Sequence, residues 1–394
     1  MIYQRNHHLF QPLLYQVATA WLSPADIASP VRHVLAGQKN LRVMLGKLKA
    51  VDSTKRTLTI ENSLREIQQS YDYLIIATGA RHAYFGNDHW EAFAPGLKTI
   101  EDATAIRHRL LMAFELAEMA EDPAERDAQL TIVVIGGGPT GVEMAGSITE
   151  LARAALVRDF RRIDPSKARV LLVEAGPRIL STFPQSLSAA AQSALEKLGV
   201  EVRTNARVMN CDAGGLLVGE QYIPAGTVIW AAGVQASPAA EWLSAEADRA
   251  GRVKVAPDFG VPGHENVYVI GDTASLIDTA GQLVPGVAPA ATQAGPYLAK
   301  LIRAKIKGKP APAPFRYCNY GNLATVGRHA AVADFGFIRL RGWIAWWLWG
   351  IAHIFFLIDF RNRVAVSLNW LWSFLTYKRG TRLITGPTQP LSLL

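Results

Sequence analysis

The sequence has little cysteine and no secretion-type leader. Its two cysteines, Cys211 and Cys318, are far apart, so no CxxC redox pair, zinc-ligand spacing or disulfide framework can be read. The opening residues MIYQRNHHLFQPLLYQ lack the positively charged stretch and long apolar run of a secretory signal. His7 and His8 have no spaced metal partners. We therefore expect reduced thiols, no bound metal and no export.

Composition narrows the class of partner without selecting one. A chain of 394 residues with 49% hydrophobic content is long enough for two or three domains that each bury a core. The net charge of +8 favours an anionic surface, such as phospholipid headgroups, nucleotides or nucleic acid. No RNA-recognition motif is present, so no nucleic-acid partner is expected. No nucleophile triad is present either.

A glycine-rich segment, IVVIGGGPTGVEMAGSITEL at residues 132–151, predicts a strand, a turn and a helix. Gly136, Gly138 and Gly141 have the G-x-G-x-x-G spacing directly after the β-branched run at 130–135. In this motif the first glycine allows the tight turn, the second lets a pyrophosphate approach the backbone, and the third lets the helix pack closely. The helix N-terminus then faces the phosphates. A structural turn without a ligand is the alternative.

The segment ARVLLVEAG predicts the next strand of the same unit. It ends in Glu174, an acid placed to accept hydrogen bonds from a ribose 2′-hydroxyl and to repel a 2′-phosphate. This favours NADH over NADPH. The gap between Gly141 and Glu174 exceeds that of the usual unit, so an extended helix and loop through RRIDPSKA are expected between them.

Three further strand-and-turn segments are present: YDYLIIATGA, TVIWAAGV and ENVYVIGDTA. Each alone could be a buried strand with a turn. In this order they resemble the two-dinucleotide flavoprotein reductases. That resemblance implies that Thr78 and Gly79 lie near the flavin nucleotide, and that Gly271 and Asp272 approach the ribityl chain, with Asp272 hydrogen-bonded to it. The alternative for Asp272 is an N-cap of the following helix.

Nearly the whole chain resembles the type II NADH dehydrogenases, through HHLFQPLLYQVATAWLSPADIASPVRHVL, FAPGLKTIEDA, VVIGGGPTGVEMAG, YVIGDTA, VPGVAPAATQAGPYLAK and the tail GNLATVGRHAAVADFG. The resemblance implies an FAD-containing, single-subunit monotopic enzyme that passes electrons from NADH to a membrane quinone without pumping protons. It implies an α/β fold with two Rossmann-like domains and a C-terminal helical membrane-facing region. We expect an FAD domain in segments 1–129 and 241–320, an NADH domain at 130–240 and a membrane-associating region at 321–394.

One part of the family pattern is missing from the sequence. Family members begin with a strand, their own G-x-G-x-x-G and a helix for the FAD pyrophosphate, whereas this sequence starts near the end of the second strand. No acid for the FAD ribose stands around residues 3–5. We therefore expect an N-terminally truncated FAD domain, from either a misplaced start codon in a longer gene or a degenerate copy.

Four residues are assigned to the reaction by the resemblance. Glu143 matches a glutamate near the junction of the NADH, flavin and quinone sites, with helix capping as the alternative. Gln293 matches a glutamine near the flavin ring and the quinone entrance, with a surface glutamine as the alternative. Pro12 and Leu13 would lie beside the flavin, although an ordinary core segment explains the leucine equally well. Many family members carry a further glutamine at the position of Pro289, and some bacterial members carry one at the position of Ala294. The contacts with the quinone therefore depart from the family pattern.

Membrane attachment is predicted from the C-terminus. Residues 342–358 hold four tryptophans and a single polar side chain, His353. As a helix this segment would be about 26 Å long, just short of a bilayer core of about 30 Å. Tryptophans and flanking arginines favour a helix lying in the interface, paired with a second at 364–377 that is followed by Lys378, Arg379 and Arg382. A spanning helix and a buried or dimer-interface helix are the alternatives.

The function predicted is therefore an NADH:quinone oxidoreductase, attached to the cytoplasmic face of the cell inner membrane, with a homodimer left open. Two other classes stay open at this point. One is another flavoprotein reductase, such as a sulfide:quinone or ferredoxin-type enzyme, for which Cys211 and Cys318 do not have the expected pattern. The other is a non-catalytic, membrane-associated NADH-binding remnant, which the missing FAD loop would favour.

Overall fold

The chain folds into two compact units, each assembled from three separate segments. The computed structural model describes residues 1–62, 64–376 and 380–385. Unit 1 comprises Met1–His7, Pro30–His82 and Val234–Tyr320, and unit 2 comprises His8–Ser29, Ala83–Gly233 and Gly321–Leu394 as far as it is described.

Helices and strands alternate along much of the chain, as expected for an α/β protein. The helices are α1 (Leu14–Ala18), α2 (Pro24–Ile27), α3 (Val31–Val34), α4 (Ile100–Met119), α5 (Pro123–Gln129), α6 (Pro139–Glu150), α7 (Gln185–Leu198), α8 (Ala239–Leu243), α9 (Ala288–Ile306), α10 (Trp343–Phe356) and α11 (Phe360–Thr376). The strands are β1 (Ile2–Tyr3), β2 (His7–Leu9), β3 (Ala28–Pro30), β4 (Met44–Leu45), β5 (Lys47–Asp52), β6 (Thr57–Glu61), β7 (Glu66–Ser70), β8 (Leu74–Ile76), β9 (Ala80–His82), β10 (Thr131–Ile135), β11 (Arg169–Val173), β12 (Val200–Arg203), β13 (Val208–Asp212), β14 (Gly215–Val218), β15 (Gln221–Pro224), β16 (Thr227–Trp230), β17 (Val234–Ala236), β18 (Val253–Lys254), β19 (Val267–Val269), β20 (Ala274–Ser275), β21 (Asn322–Val326), β22 (Ala330–Asp334) and β23 (Arg339–Gly342).

A four-stranded parallel sheet forms the centre of unit 2, in the order β12-β11-β10-β16. Every residue of β10 is buried, which is the pattern of a parallel strand covered by helices on both faces. Val133 of β10 lies opposite Leu171 of β11 and Val228 of β16. Strand β10 leads through the glycine-rich turn into α6. The strand, turn and helix predicted from the sequence are confirmed.

The long connection expected between Gly141 and Glu174 is also present. After α6 the chain makes a π-helical turn at Leu151–Ala155 and a 3-10 turn at Pro165–Lys167 before it enters β11. The side chain of Glu118 on α4 closes this connection, because it accepts the backbone N–H groups of Arg161 and Arg162 at 3.0 Å. The middle of the connection is therefore held against α4.

The C-terminal part of unit 2 combines a β-meander with two apolar helices. Strands β21, β22 and β23 form an antiparallel sheet in chain order. Helix α10 packs against β22, while β21 packs against α6. Ala345, Trp349 and Val366 of the two helices belong to the main hydrophobic core of unit 2. Both predicted C-terminal helices are confirmed, but Tyr377, Lys378 and Arg379 lie outside the described residues.

Unit 1 is built from small sheets around two apolar clusters. Strands β5, β6 and β7 form an antiparallel sheet, and β8 pairs in parallel with β19, as β1 does with β4. Leu58, Leu74 and Val267 belong to one cluster. Tyr268 of β19 and Leu298 of α9 belong to the other. The strands predicted in YDYLIIATGA and ENVYVIGDTA are therefore neighbours in one sheet.

The boundaries of the two compact units differ from those of the cofactor domains predicted from the sequence. Residues 83–129 belong to the same unit as the glycine-rich turn, and residues 234–240 belong to unit 1. One limit coincides, since both divisions separate residues 320 and 321. The cofactor-domain bounds at 129 and 240 remain a prediction.

Candidate active site

The glycine-rich turn of unit 2 has the geometry of a dinucleotide-binding loop. Gly136 has a φ of +107°, and a Cβ there would lie 2.6 Å from the carbonyl carbon of Ala231. A Cβ on Gly141 would lie 1.8 Å from the Gly136 carbonyl oxygen. Gly138, the N-cap of α6, faces open space, with no atom within 4 Å of a Cβ built on it. Two glycines are thus required by the protein itself, and the third leaves room for a pyrophosphate.

Glu174 holds this loop in place. Its Oε2 accepts the N–H of Gly137 and its Oε1 accepts the N–H of Gly176, both at 2.6 Å. Hydrogen bonds to a carboxylate are stronger than those between neutral groups. Because each carboxylate oxygen can accept more than one hydrogen bond, both oxygens can still accept from a ribose hydroxyl. Sequence reasoning placed Glu174 correctly at the end of β11 but did not foresee that it binds the loop.

The two turns assigned to the flavin lie together in unit 1. Thr78 and Gly79 follow β8, Gly271 and Asp272 follow β19, and these paired parallel strands end on the same side. The Thr273 hydroxyl donates to the Gly79 carbonyl at 3.0 Å. Gly79 and Gly271 have φ of +70° and +71°, so both turns need glycine.

Asp272 is not the N-cap of a following helix. It lies inside the 3-10 turn Gly271–Thr273, whose N-cap is Ile270, and the N-cap of α9 is Val287. The capping alternative is therefore wrong. The position fits the ribityl end of a flavin, because the carboxylate stands beside two glycine-dependent turns. No second G-x-G-x-x-G precedes β8 in the sequence, so the residues that fit FAD here are those of its flavin end.

A pocket of about 270 Å³ opens in unit 2 between α1, α6, β21 and the two C-terminal helices. Its walls are mainly apolar and aromatic, with polar side chains from α1 and α6. The lining residues are Tyr15, Gln16, Trp21, Glu143, Ser147, Glu150, Thr325, Gly327, Arg328, Trp346, Trp347, Trp349, Ile354, Ser367, Trp370, Leu371 and Phe374.

Glu143 is the acidic group that the sequence analysis placed at this site. It stands in the first part of α6 and faces the pocket. Burial raises the pKa of its carboxyl to about 8, although a long hydrogen bond of 3.4 Å from the Thr325 N–H to Oε1 acts in the opposite direction. The side chain therefore carries a proton near neutral pH. Helix capping is not its role, because the N-cap of α6 is Gly138.

A chain of hydrogen bonds links residues in the wall of the pocket, and sequence reasoning did not predict it. The Trp370 Nε1–H donates to Gln16 Oε1 at 2.8 Å, and Gln16 Nε2 donates to the Tyr15 hydroxyl at 3.0 Å. That hydroxyl lies 3.2 Å from Thr325 Oγ1. Burial and the charge of Glu143 raise the pKa of Tyr15. Tyr15 and Gln16 follow directly after Leu13 and Leu14, so the N-terminal family motif was the signal that pointed to this segment.

Trp349 belongs to the aromatic wall of the same pocket. The indole is buried, with 3% of its surface exposed, and stacks against His353 and Trp370 at ring distances of 4.1 and 5.4 Å. Within the described residues its Nε1–H has no hydrogen-bond acceptor, and this atom has almost no accessible surface. The ring therefore adds apolar surface to the pocket and not a hydrogen-bond donor.

The remaining predicted residues occupy different settings. Leu13 is fully buried in the core of unit 2, as the alternative explanation of that segment proposed, and Pro12 is partly buried in a 3-10 turn. Gln293 of α9 is held by the backbone of Cys318: its Nε2 donates to the Cys318 carbonyl at 2.9 Å, and its Oε1 accepts the Cys318 N–H at 3.0 Å. One amide N–H of Gln293 remains for another acceptor.

In the described part of the chain, neither the cysteines nor a cluster of metal-ligating side chains forms a second reactive site. Cys211 is buried, Cys318 is exposed, and both are free thiols. Among residues 1–62, 64–376 and 380–385, no group of three or more His, Cys, Asp or Glu side chains could hold a metal ion.

The C-terminal helices expose a continuous set of large apolar side chains. On α10 they include Trp343, Trp347, Ile351 and Phe355, and on α11 Leu368, Leu371, Trp372 and Leu375, all between 55% and 69% exposed. In the described part of the chain, no helix combines the length and the apolar character needed to cross a bilayer.

Comparison with known proteins identifies the family. The model of the pyridine nucleotide-disulphide oxidoreductases matches residues 1–295, and that of the NDH2 C-terminal domain matches residues 320–378. The type II NADH:quinone oxidoreductase NdhA of Mycobacterium tuberculosis is 46% identical, and Ndh of the same organism is 44% identical. Each alignment covers 98% of this chain and 84% of the relative. The chain therefore belongs to the type II NADH:quinone oxidoreductases of the pyridine nucleotide-disulphide oxidoreductase family.

The fold agrees with this assignment. A solved structure of NDH2 from Plasmodium falciparum in complex with NADH superposes with a TM-score of 0.89 at 20% identity, covering 98% of this chain and 94% of the other. The predicted resemblance, the α/β fold class and the oxidoreductase function are confirmed, and no comparison favours the non-catalytic class.

Proposed function

We propose that the quinone binds in the 270 Å³ pocket of unit 2, and that the protein oxidises NADH and reduces this quinone with FAD as its cofactor. The observation that carries the proposal is the pocket itself. Its apolar, tryptophan-rich walls suit an isoprenoid quinone, and the protonated carboxyl of Glu143 is part of its lining.

NADH binds at the glycine-rich turn in this proposal. The open space at Gly138 and the N-terminus of α6 take the pyrophosphate, and Glu174 accepts a ribose hydroxyl. The same carboxylate would repel a 2′-phosphate, so NADH is preferred to NADPH. Glu174 already fixes two loop N–H groups, so the loop is ordered before the nucleotide arrives.

FAD, when bound, accepts a hydride from the nicotinamide and supplies electrons to a second substrate. Thr78, Gly79, Gly271 and Asp272 would hold its flavin end. The resemblance also assigns Pro12 and Leu13 to the flavin, but the Leu13 side chain is fully buried in the core of unit 2.

Quinone reduction also consumes two protons, and Glu143 is placed to donate one of them. Its raised pKa keeps the proton on the carboxyl at neutral pH, where an exposed glutamate is ionised. The Trp349 indole forms part of the apolar wall against which the quinone ring packs. In unit 1, Gln293 keeps one amide N–H for the flavin, and the Cys318 backbone keeps its side chain oriented.

The exposed apolar faces of α10 and α11 place the protein on a membrane surface in this proposal. Tryptophans concentrate at such interfaces, and a quinone could pass from the lipid between the helices into the pocket. Attachment to the cytoplasmic face of the inner membrane fits a substrate such as NADH. A homodimer stays a prediction.

The pocket assignment is tested by filling it. Ser367 lines the pocket from α11, whereas Leu368 beside it points outward and is 60% exposed. In Ser367→Trp we expect reduction of the flavin by NADH at the normal rate and at least tenfold slower reoxidation by quinone, measured by stopped-flow absorbance.

Leu368→Trp is the matched control, since it adds an indole to the same helix outside the pocket. It should leave both half-reactions within twofold of the wild type. Normal quinone reoxidation in Ser367→Trp would place the quinone elsewhere and contradict the assignment.

A further inference from the structure

A second cavity lies beside the quinone pocket and takes no part in the proposed reaction. Its volume is about 210 Å³. Trp21, Glu150 and Arg328 line both cavities and form the wall between them. On the far side lie Arg153, in the turn after α6, and Ser373, near the end of α11.

The charges that line this second cavity are mainly positive. Arg153 and Arg328 contribute two fixed positive charges, and Glu150 contributes one negative charge and accepts the backbone N–H of Arg328 at 2.7 Å. His329 is largely neutral at pH 7, because partial burial and the neighbouring Arg328 lower its pKa. The lining therefore keeps a net positive charge against the opposing carboxylate.

Arg153 is the cation placed to bind a ligand directly. Its side chain is exposed to solvent at the cavity, and one of its N–H groups donates to the Leu198 carbonyl at 2.6 Å. That bond fixes the guanidinium, which has five N–H donors in all. A fixed guanidinium with further donors matches the oxygens of a phosphate group.

The surroundings of the cavity are apolar in the direction of the C-terminal helices. Ser373 stands between Trp372 and Leu375, which are 60% and 69% exposed, and Leu371 one residue before Trp372 is 56% exposed. Ser373 faces the cavity, whereas Trp372 and Leu375 lie on the outward side of the same turns. A ligand with an anionic head in the cavity could therefore reach this apolar surface only by extending its chains around the last turns of α11.

We propose that this cavity binds the phosphate of one anionic phospholipid, held by Arg153, with the charge of Arg328 behind it. The acyl chains lie against Trp372 and Leu375. An inorganic phosphate ion shares the head chemistry but would not use the apolar surface. The site is independent of the quinone reaction, so it can be tested without NADH or quinone.

The test is native mass spectrometry of the full chain in a non-ionic detergent, titrated with dioleoyl phosphatidylglycerol or dioleoyl phosphatidylcholine. We expect one molecule of the anionic lipid to bind more tightly than the neutral one. Loss of one basic contact near a lipid surface corresponds to roughly fivefold in affinity, so Arg153→Gln should weaken the first phosphatidylglycerol by about that factor. Arg153→Lys, which keeps the charge, should retain most of the preference.

Two matched controls remove the same charge elsewhere. Arg158 is exposed five residues after Arg153 but does not line the cavity, and Arg249 is exposed in unit 1. Arg158→Gln and Arg249→Gln should bind phosphatidylglycerol like the wild type. The proposal is overturned if both lipids bind equally, if Arg158→Gln weakens binding as much as Arg153→Gln, or if inorganic phosphate binds the site as tightly as the lipid.

Discussion

Glu143 keeps its proton at a pH at which exposed glutamates have lost theirs, and this has a consequence for stability. Its folded pKa is about 8, against an ordinary value of 4.5, so the folded state binds the proton more tightly than the unfolded chain. The stabilisation from this group is complete below pH 4.5 and is lost as the pH rises towards 8. The cause is burial of the carboxyl in the pocket wall.

We therefore predict that Glu143→Gln changes the pH dependence of folding. The free energy of unfolding of the wild type should fall by on the order of 3 kcal/mol between pH 5 and pH 9 from this group, and the variant should lack that component. Urea unfolding followed at pH 5, 7 and 9 measures the difference. Parallel curves for the two proteins would show that the carboxyl titrates normally.

The glycine and acid positions show what a sequence can predict at the scale of single residues. Spacing alone placed Gly136 and Gly141 in the tight turn after β10 and Glu174 directly after β11, while their contacts with a nucleotide stay a prediction. The bonds of Glu174 to the Gly137 N–H and of Gln293 to the Cys318 backbone could not be predicted. They depend on where segments distant in the sequence meet, for which the sequence offers no local pattern.

At the scale of elements, α11 is attached to the rest of unit 2 at several points along its length. Near its start, Asn362 Nδ2 donates to Ser29 Oγ at 3.2 Å, and in its middle Trp370 binds Gln16. At its end, Arg328 donates to the Ser373 carbonyl at 2.9 Å, and its guanidinium lies 5.1 Å from the Phe374 ring centre.

We predict that Arg328→Met frees the last turns of α11. Methionine retains the apolar length of the side chain but removes the hydrogen bond and the cation–π contacts, which are each worth about 1 kcal/mol. Hydrogen exchange of residues 370–376, measured by mass spectrometry, should speed up several-fold while exchange around Asn362 stays unchanged.

Arg361→Met is the control for this change, because Arg361 is exposed at the other end of the same helix. It should leave exchange at 370–376 as in the wild type. Equal protection of these amides in Arg328→Met would mean that the apolar packing alone holds α11.

The elements themselves were easier to predict than their assembly. Strands β8, β10, β11, β16 and β19 follow from short apolar runs, and both C-terminal helices follow from their composition. The pocket did not follow, because its wall combines α1, α6, β21, α10 and α11, which are separated by up to several hundred residues. The antiparallel meander β21–β23 likewise depends on pairing that composition does not reveal.

At the scale of the whole molecule, the net positive charge and the exposed apolar helices both favour binding to an anionic membrane surface. In the proposed attachment, a net charge of +8 would draw the protein towards anionic membranes, and the apolar faces of α10 and α11 would then bind at the interface. This attachment stays a prediction from the sequence, which did not indicate the division into two compact units, each made of three segments.

The proposed reaction requires that one chain binds FAD and NADH and passes electrons to a quinone. The direct measurement is the visible spectrum of the 394-residue chain, purified in mild detergent with FAD added. We predict close to one equivalent of bound flavin, which bleaches with NADH and recovers with a soluble quinone analogue. A protein that binds no flavin, or whose bound flavin does not respond to NADH, would contradict the proposed reaction.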